Sequence, residues 1–197
     1  MKKAELRKIY LEKRKALSKD EVQNLSKKIF KNFVLPFKPI ENHKVHLFLS
    51  IEKFNEINTK FFIDYFFKHK IRVFVPKIIH SKLISVEFTQ NTEMETNSWG
   101  ISEPKTSEDT GISDFDFVIT PLLCCDRKGN RVGYGKGFYD KFFSEIKSKT
   151  KTKKIGVSLF PPVDDIEDIS ETDVQLDYLV TPEEVLSFGI STSNFTK

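Results

Sequence analysis

Two short apolar runs separated by a helical segment constrain the fold of this chain more than any other feature. Residues 45–50 form one run, and residues 71–75 form a second run that Pro76 is expected to end. Residues 59–68, between the two runs, are predicted to be helical. Strands joined through a helix pair in parallel, because a parallel crossover needs roughly a dozen residues or more. The sequence therefore predicts a βαβ unit and an α/β fold.

The same alternation continues along the rest of the chain. Further strands are predicted at residues 83–88, 117–120, 155–159 and 178–180, and further helices at residues 2–17, 18–33 and 137–146. Capping boxes at Ser18–Glu21 and at Thr181–Glu184 indicate two helix starts. We expect a three-layer α/β/α fold, with helices on both faces of an open, Rossmann-like, mostly parallel sheet. Residues 1–188 are expected to form a single domain, and residues 189–197 a flexible tail.

A glycine-rich loop follows the strand at residues 117–120. It combines three alternating glycines with two cations and a carboxylate: Gly133, Gly135, Gly137, Arg131, Lys136 and Asp140. Glycines let backbone N–H groups approach an anion closely, and the helix that follows adds the positive end of its dipole. Lys136 and Arg131 add full charges, while Asp140 is a suitable ligand for a Mg²⁺ that screens phosphates. Since ligands bind beyond the carboxyl ends of parallel strands, the loop predicts a phosphate site there.

This loop matches neither of two common phosphate-binding motifs. The Gly-Lys-Ser/Thr sequence of a P-loop is absent, and the glycine spacing differs from that of the dinucleotide-binding fingerprint. The alternative is a surface turn whose glycines only supply positive φ angles. Such a turn rarely needs Lys, Arg and Asp at the same place, so we favour phosphate binding.

Charge and composition argue against several classes of protein. The net charge is +4, with lysines scattered rather than clustered, which favours a small anionic ligand over a nucleic acid. Adjacent Cys124 and Cys125 cannot join distant segments and lack zinc-site spacing, so we expect two buried thiols in a reducing compartment. No run of about 18 apolar residues occurs, and the charged N-terminus is unlike a signal peptide. We expect a cytoplasmic protein that neither binds nucleic acid nor enters a membrane.

The run from Arg131 to Asp140 resembles the signature loop of the 5-formyltetrahydrofolate cyclo-ligase family, also called 5,10-methenyltetrahydrofolate synthetases. Further matches follow in the family's order, at residues 3–7, 56–59, 75–77, 99–104 and in the stretch that contains Asp173, Asp177 and Thr181. The resemblance spans residues 3–186. Two departures affect packing rather than charge: Phe138 stands where Tyr is frequent, and residues 122–125 replace a smaller or glycine-containing stretch.

The resemblance implies ATP-dependent ring closure of 5-formyltetrahydrofolate to 5,10-methenyltetrahydrofolate, with ADP and phosphate released. Its catalytic residues would be Arg131, Lys136 and Tyr139. Its ATP site would comprise Lys3, Arg7, Arg131, Gly133, Tyr134, Gly135, Lys136, Gly137, Phe138 and Tyr139. The folate would bind at Glu56, Trp99, Lys136 and Tyr139, and Mg²⁺ at Asp140 and Asp173. The partners would be small-molecule substrates, and the protein a monomer.

Simpler readings remain open at individual positions. Lys3 and Arg7 lie one helical turn apart and suit a solvated helix face, while any of several carboxylates in residues 164–177 is a possible metal ligand. An alternative interpretation of Lys77 is that it is only the solvent-facing end of a strand. For the whole protein, one alternative is a sugar-phosphate isomerase or CoA transferase, neither of which needs ATP. Another is a relative that binds nucleotide, folate or RNA without catalysis.

Overall fold

The computed structural model describes residues 1–97, 100–146 and 151–189. The helices within these ranges are α1 (Lys3–Lys15), α2 (Lys19–Phe37), α3 (Lys60–Lys68) and α4 (Phe138–Glu145). The strands are β1 (Lys44–Leu47), β2 (Arg72–Ile79), β3 (Lys82–Phe88), β4 (Met94–Thr96), β5 (Ser102–Pro104), β6 (Phe117–Pro121), β7 (Cys124–Cys125), β8 (Arg131–Val132), β9 (Lys153–Val157), β10 (Tyr178–Val180) and β11 (Val185–Ser187). A 3₁₀ turn occupies Glu52–Phe54.

Seven of these strands form one sheet in the order β11-β10-β9-β6-β1-β2-β3. The five central strands pair in parallel, whereas β3 and β11 pair antiparallel at the two edges. The predicted βαβ unit is confirmed, since β1 and β2 are parallel neighbours joined through α3. Two short hairpins, β4-β5 and β7-β8, lie outside this sheet.

Helices cover both faces of the sheet, as predicted. On one face, α2 and α3 contribute buried Phe33, Phe62 and Phe66, which pack against residues such as Val45 and Phe117 of β1 and β6. On the other face, Phe142 and Phe143 of α4 pack with Phe74, Phe115 and Val118. Alternate residues of each central strand face opposite layers, and both layers are apolar, which is typical of a parallel sheet. The three-layer α/β/α expectation is therefore confirmed.

Two elements continue through a proline, past the ends that the sequence indicated. Helix α2 continues past Phe33 through Pro36 to Phe37, where Phe37 is buried beside Phe33 in the core. Strand β2 continues through Pro76, which lies opposite Ser85 in the ladder with β3. The backbone N–H and C=O of Ser85 bond to Asp109 and Thr110 instead of β2, so Pro76 occupies a position where the ladder needs no N–H.

The segment 181–184 is a turn and not the predicted helix start. Thr181 accepts hydrogen bonds at Oγ1 from the N–H groups of Glu183 and Glu184, and its own N–H donates to the Glu184 carbonyl at 2.9 Å. The chain then returns as β11, antiparallel to β10. A threonine hydroxyl bonds nearby backbone N–H groups in turns as well as at helix starts, so this local pattern has two outcomes. The capping box at Ser18 and Glu21, by contrast, is present as predicted.

Both cysteines are buried, and neither forms a disulfide. Burial raises the pKa of the Cys124 thiol to about 12, so this thiol is protonated and unreactive at neutral pH. None of the helices in the described ranges is long and apolar enough to cross a membrane.

Candidate active site

The order of the strands indicates where a ligand binds. From β1 the chain proceeds to β2 on one side, and the later strands β6, β9 and β10 extend the sheet on the other side. The direction of winding thus reverses between β1 and β6, and ligands of open α/β sheets bind in the crevice at such a point. The loop after β1 carries Glu56, and the segment after β6 carries the glycine loop of residues 133–137.

Arg7 of α1 lies directly against the glycine loop. Its Nε donates to the Gly133 carbonyl at 2.9 Å. A Cβ atom placed on Gly135 would lie 3.1 Å from Cζ of Arg7, and Gly135 has a φ of +86°. A side chain at position 135 would therefore be strained and would displace the guanidinium. The N-terminal helix and the loop, far apart in sequence, form one cationic surface.

The loop leads straight into α4, with Gly137 in the left-handed region at the helix start. The first-turn N–H groups of a helix have no partner within the helix and carry its positive partial charge. Lys136 is exposed immediately before this start. Its ammonium and the helix start are therefore arranged to attract an anion.

Arg131 fastens the loop to the acidic segment near the C-terminus. Its Nη2 donates to Asp140 Oδ1 at 2.6 Å, and its Nη1 donates to the carbonyl of Val174. Asp140 Oδ1 also accepts from the backbone N–H of Val174 at 3.1 Å. Burial lowers the pKa of Arg131, and the charges of Asp140 and Asp173 oppose that shift. The guanidinium therefore stays charged at physiological pH.

Asp173, next to Val174, forms an ion pair with Lys3 of α1 and accepts from the N–H of Ser170 at 2.6 Å. Partial burial acts to raise the pKa of Asp173, but the hydrogen bond from Lys3 and the charges of Lys3 and Arg131 outweigh it and lower the pKa. The bonds from Lys3 and Ser170 both go to Oδ2 of Asp173. The bonds from Arg131 and Val174 both go to Oδ1 of Asp140. One oxygen of each carboxylate is left out of these bonds.

Glu56 is buried at the end of the crevice, 5% exposed, beside a small cavity lined by Arg14, Phe48 and Leu122 among others. Its Oε2 accepts from the Ile51 N–H at 2.9 Å, and its Oε1 accepts from the Tyr134 hydroxyl at 2.5 Å. Burial raises the pKa of Glu56, while these two hydrogen bonds and the charge of Arg14 act in the opposite direction.

Arg14 is a site residue that the sequence reasoning missed. It is 4% exposed and donates to the hydroxyl of Tyr134, which in turn bonds Glu56. The available signal was its position on α1: Lys3, Arg7 and Arg14 recur at helical spacing and so share one face. That face points at the crevice, which contradicts the reading of Lys3 and Arg7 as a solvated helix face.

The hydroxyl of Tyr139 is buried and has no hydrogen-bond partner among the described residues, and the same holds for Thr120 Oγ1 at the end of β6. Burial also raises the pKa of the Tyr139 phenol, so the hydroxyl keeps its proton. Buried hydroxyls normally find a partner, which leaves Tyr139 suited to bonding a ligand or a water. Phe138, beside it at the start of α4, packs its ring into the cluster of Phe142 and Phe143.

Lys77 is buried and not a solvent-facing strand end. It is 4% exposed, and its ammonium lies 3.0 Å from Glu95, 3.6 Å from Glu103 and 2.6 Å from the Pro104 carbonyl. These partners belong to the β4-β5 hairpin, which Lys77 therefore holds against the end of β2. Trp99, predicted to contact the folate, falls outside the described residues.

The fold and the candidate site are typical of α/β enzymes that bind small anionic ligands at the carboxyl edge of a parallel sheet. A sequence model of the 5-formyltetrahydrofolate cyclo-ligase family matches residues 1–182. The chain belongs to this family, which removes the isomerase and transferase alternatives.

Named relatives agree with this assignment. A probable 5-formyltetrahydrofolate cyclo-ligase of Schizosaccharomyces pombe is 33% identical over 72% of this chain and 76% of its own. The Mycoplasma pneumoniae cyclo-ligase is 31% identical over 93% of this chain and 100% of its own. Among solved structures, the 5,10-methenyltetrahydrofolate synthetase of Aquifex aeolicus superposes with a TM-score of 0.77 at 28% identity, covering 98% of this chain and 96% of that one.

Proposed function

We propose that this protein closes the ring of 5-formyltetrahydrofolate to give 5,10-methenyltetrahydrofolate, using ATP and releasing ADP and phosphate. The observation that carries the proposal is the convergence of Arg7, the glycine loop and buried Glu56 at the switch point of the sheet. One side of this crevice suits a polyphosphate and the other a heterocycle with N–H donors.

The ATP side is proposed to bind the triphosphate through cations and backbone N–H groups. Lys3, Arg7, Arg131 and Lys136 are the proposed cations, and the residues from Gly133 to Tyr139 provide the cradle. Phosphoryl transfer depends mainly on positioning and charge neutralisation, for which cations fixed in advance are well suited. Arg7 is already held by the Gly133 carbonyl, and Arg131 by Asp140.

Two carboxylates fit a Mg²⁺ ion that accompanies the nucleotide. Mg²⁺ usually takes one or two protein carboxylates together with phosphate oxygens and water. Asp140 and Asp173 lie around Val174, and each has one oxygen outside the bonds described above. No cluster of three or more ligating side chains occurs among the described residues, so the proposed ion would need phosphate oxygens and water as its other ligands. Bound there, the ion would neutralise phosphate charge.

The folate side is proposed to centre on Glu56. A carboxylate accepts two hydrogen bonds from neighbouring pterin N–H groups, and in this structure its oxygens accept from Tyr134 and the Ile51 N–H. Tyr139 is proposed to contribute its hydroxyl, which has no hydrogen-bond partner within the described ranges. Trp99 is proposed to contact the flat ring.

The proposed reaction proceeds in two steps. The formyl oxygen attacks the γ-phosphorus of ATP, the bond to the bridging oxygen breaks, and ADP leaves. The neighbouring nitrogen of the folate, N10, then adds to the formyl carbon, loses its proton, and the carbon–oxygen bond breaks to release phosphate. Lys136 and Arg131 are proposed to stabilise the charge on the transferred group, and Tyr139 to orient the formyl group.

We further propose that the protein is cytoplasmic and monomeric. The cytoplasmic location is supported by Cys124 and Cys125, which are buried thiols and form no disulfide within the described residues.

A spectroscopic assay tests the proposed function. Purified protein is mixed with 5-formyltetrahydrofolate and MgATP, and the near-ultraviolet absorbance of the methenyl product is followed. We expect a rise that requires protein, folate and MgATP together. No rise, with ATP binding intact, would instead support a relative that binds its ligands without catalysis.

A further inference from the structure

Arg14 brings a positive charge into the wall of the crevice. The residue is buried, and its carbonyl accepts from Asn55 Nδ2 at 3.1 Å, which fixes this turn of α1. Its Nη2 donates to the hydroxyl of Tyr134, whereas its Nε is buried without a hydrogen-bond partner among the described residues. A buried cation costs free energy unless an opposite charge compensates it. Glu56, one hydrogen bond beyond Tyr134, is placed to do so.

The hydroxyl of Tyr134 joins the two charges. It accepts from Arg14 and donates to Glu56 Oε1 at 2.5 Å. Because a guanidinium only donates, the proton of the hydroxyl is left for the carboxylate. Accepting a bond from a cation also makes the hydroxyl a stronger donor. Tyr134 therefore transmits the positive charge of Arg14 to Glu56.

Little water separates Arg14 from Glu56. Both residues line the same small cavity, whose volume of about 10 Å³ has room for about one water molecule. Charges in so little water interact more strongly than charges at a surface. Burial raises the pKa of Glu56, and the hydrogen bonds from Tyr134 and the Ile51 N–H and the charge of Arg14 oppose this rise.

The ionisation of Glu56 determines which groups it can bind. A carboxylate accepts hydrogen bonds at both oxygens, whereas a protonated carboxyl group donates from one of them. We propose that Arg14, acting through the hydroxyl of Tyr134, is a positioning residue that keeps Glu56 in the ionised form that accepts the N–H groups of the pterin. This inference rests on the proposed function, because it assumes that the pterin binds at Glu56.

Two phenols face Glu56 together with Arg14. They belong to Tyr134 of the glycine loop and Tyr139 of α4. Burial raises the pKa of both phenols, and the negative charge of Glu56 adds to the rise, so both keep their protons near neutral pH. A titration of this group of side chains near neutral pH therefore belongs to Glu56.

Carbon-13 NMR measures the ionisation of Glu56 independently of activity. The protein is labelled at the side-chain carboxyl carbons of its glutamates, and Glu56→Gln assigns the signal. In Arg14→Met we expect the titration midpoint of Glu56 to rise by about one pH unit or more, the effect of losing a nearby opposite charge. Arg14→Lys, which keeps a positive charge, should bring the midpoint back towards the wild-type value. Lys8→Met, an exposed position of α1, should leave it unchanged.

Tyr134→Phe tests whether the hydroxyl is the link, in a variant that keeps the ring and so the packing. Alone, it should raise the midpoint, because Glu56 loses a hydrogen bond that favours its charged form. Combined with Arg14→Met, it should give a shift smaller than the sum of the two single shifts, since both changes break one connection. Fully additive shifts would overturn the role of the hydroxyl.

Steady-state kinetics relate the charge of Glu56 to the substrate. In Arg14→Met, the acid limb of kcat/KM for 5-formyltetrahydrofolate should move to higher pH together with the NMR midpoint. At neutral pH, KM for the folate should rise by up to about tenfold, the change in ionised fraction for one pH unit. The kcat at saturating folate should change much less, because Glu56 binds the pterin before and during the reaction alike.

An unchanged Glu56 midpoint in Arg14→Met would overturn the inference, and so would a shifted midpoint with an unchanged KM for the folate at every pH. If the midpoint shifts but the wild-type protein converts no 5-formyltetrahydrofolate, the proposed function fails, and the role of Arg14 in pterin binding fails with it. The effect of Arg14 on the ionisation of Glu56 would then still stand.

Discussion

Both the sequence and the structure indicate that position 135 requires glycine, but for different reasons. The alternating glycines predicted close approach of the backbone to an anion. The structure adds that Arg7 packs where a side chain would project, and that φ is +86°. The requirement for glycine was predictable from the loop, but the contact with Arg7 was not, because it joins residues from opposite parts of the chain.

Lys136 tests the loop assignment at the level of one side chain. Because the residue is exposed, Lys136→Ala should leave the free energy of unfolding within about 0.5 kcal/mol of wild type. Turnover should fall by roughly two to three orders of magnitude, as when one charge-stabilising group is removed from an active site. Steady-state rates and urea unfolding measure the two effects. Lys128→Ala, whose lysine pairs with Asp165, is the control, and near-normal turnover in Lys136→Ala would remove Lys136 from the catalytic set.

His46 makes the stability depend on pH. It is fully buried on β1 against Phe142, neither ring nitrogen has a hydrogen-bond partner among the described residues, and burial lowers its pKa to about 3. An unfolded chain takes up this proton near pH 6.5. Between these two values acid therefore favours the unfolded state, and the contribution of His46 to stability is present above pH 6.5 and lost as the pH falls.

We expect the wild-type protein to lose about 1.4 kcal/mol per pH unit from this group in the acid range. His46→Phe should lack this part of the slope. Urea unfolding at several pH values from neutral to mildly acidic measures both proteins, and effects of the carboxylates cancel in the comparison. If the free energies of unfolding of the two proteins change equally with pH, the assignment of this slope to His46 is wrong.

At the level of elements, the sequence predicted helices and strands best where the pattern of apolar residues determines them. It predicted them least well where a tertiary contact determines the local structure. Both strands of the βαβ unit and α3 follow from the apolar runs. The helix start predicted at Thr181 was wrong, because a threonine hydroxyl closes turns and starts helices with the same bonds. The burial of Lys77 was not predictable, since it depends on oxygens supplied by the β4-β5 hairpin.

Lys77→Met tests the attachment of that hairpin. Removing the ammonium leaves the Pro104 carbonyl and two carboxylates without this donor, at a cost of about 1–3 kcal/mol. Amide hydrogen exchange should accelerate in residues 94–97 and 100–105, while amides of β9 and β10 keep their protection. Lys77→Arg, which restores a cation, should recover part of the protection. Uniform acceleration across the sheet would indicate general destabilisation instead.

For the whole molecule, the edge of the sheet that carries the candidate site was predictable from the sequence. The residues that form the site were predictable only in part. Parallel strands put the loops after β1 and β6 at one edge, and there the structure brings Glu56 into contact with Tyr134 of the glycine loop. The link from Arg14 through Tyr134 to Glu56 joins three distant segments and left no local pattern. The roles of individual residues, the monomeric state and the single-domain assignment stay predictions.

Oxygen-18 transfer tests the central claim most directly. 5-Formyltetrahydrofolate labelled with oxygen-18 at the formyl oxygen is converted by the protein with MgATP in unlabelled water, and the released phosphate is analysed by mass spectrometry. If the formyl oxygen is phosphorylated and leaves with phosphate, each methenyl product should be matched by one ADP and one labelled phosphate. Unlabelled phosphate, with the label released to water, would contradict the account.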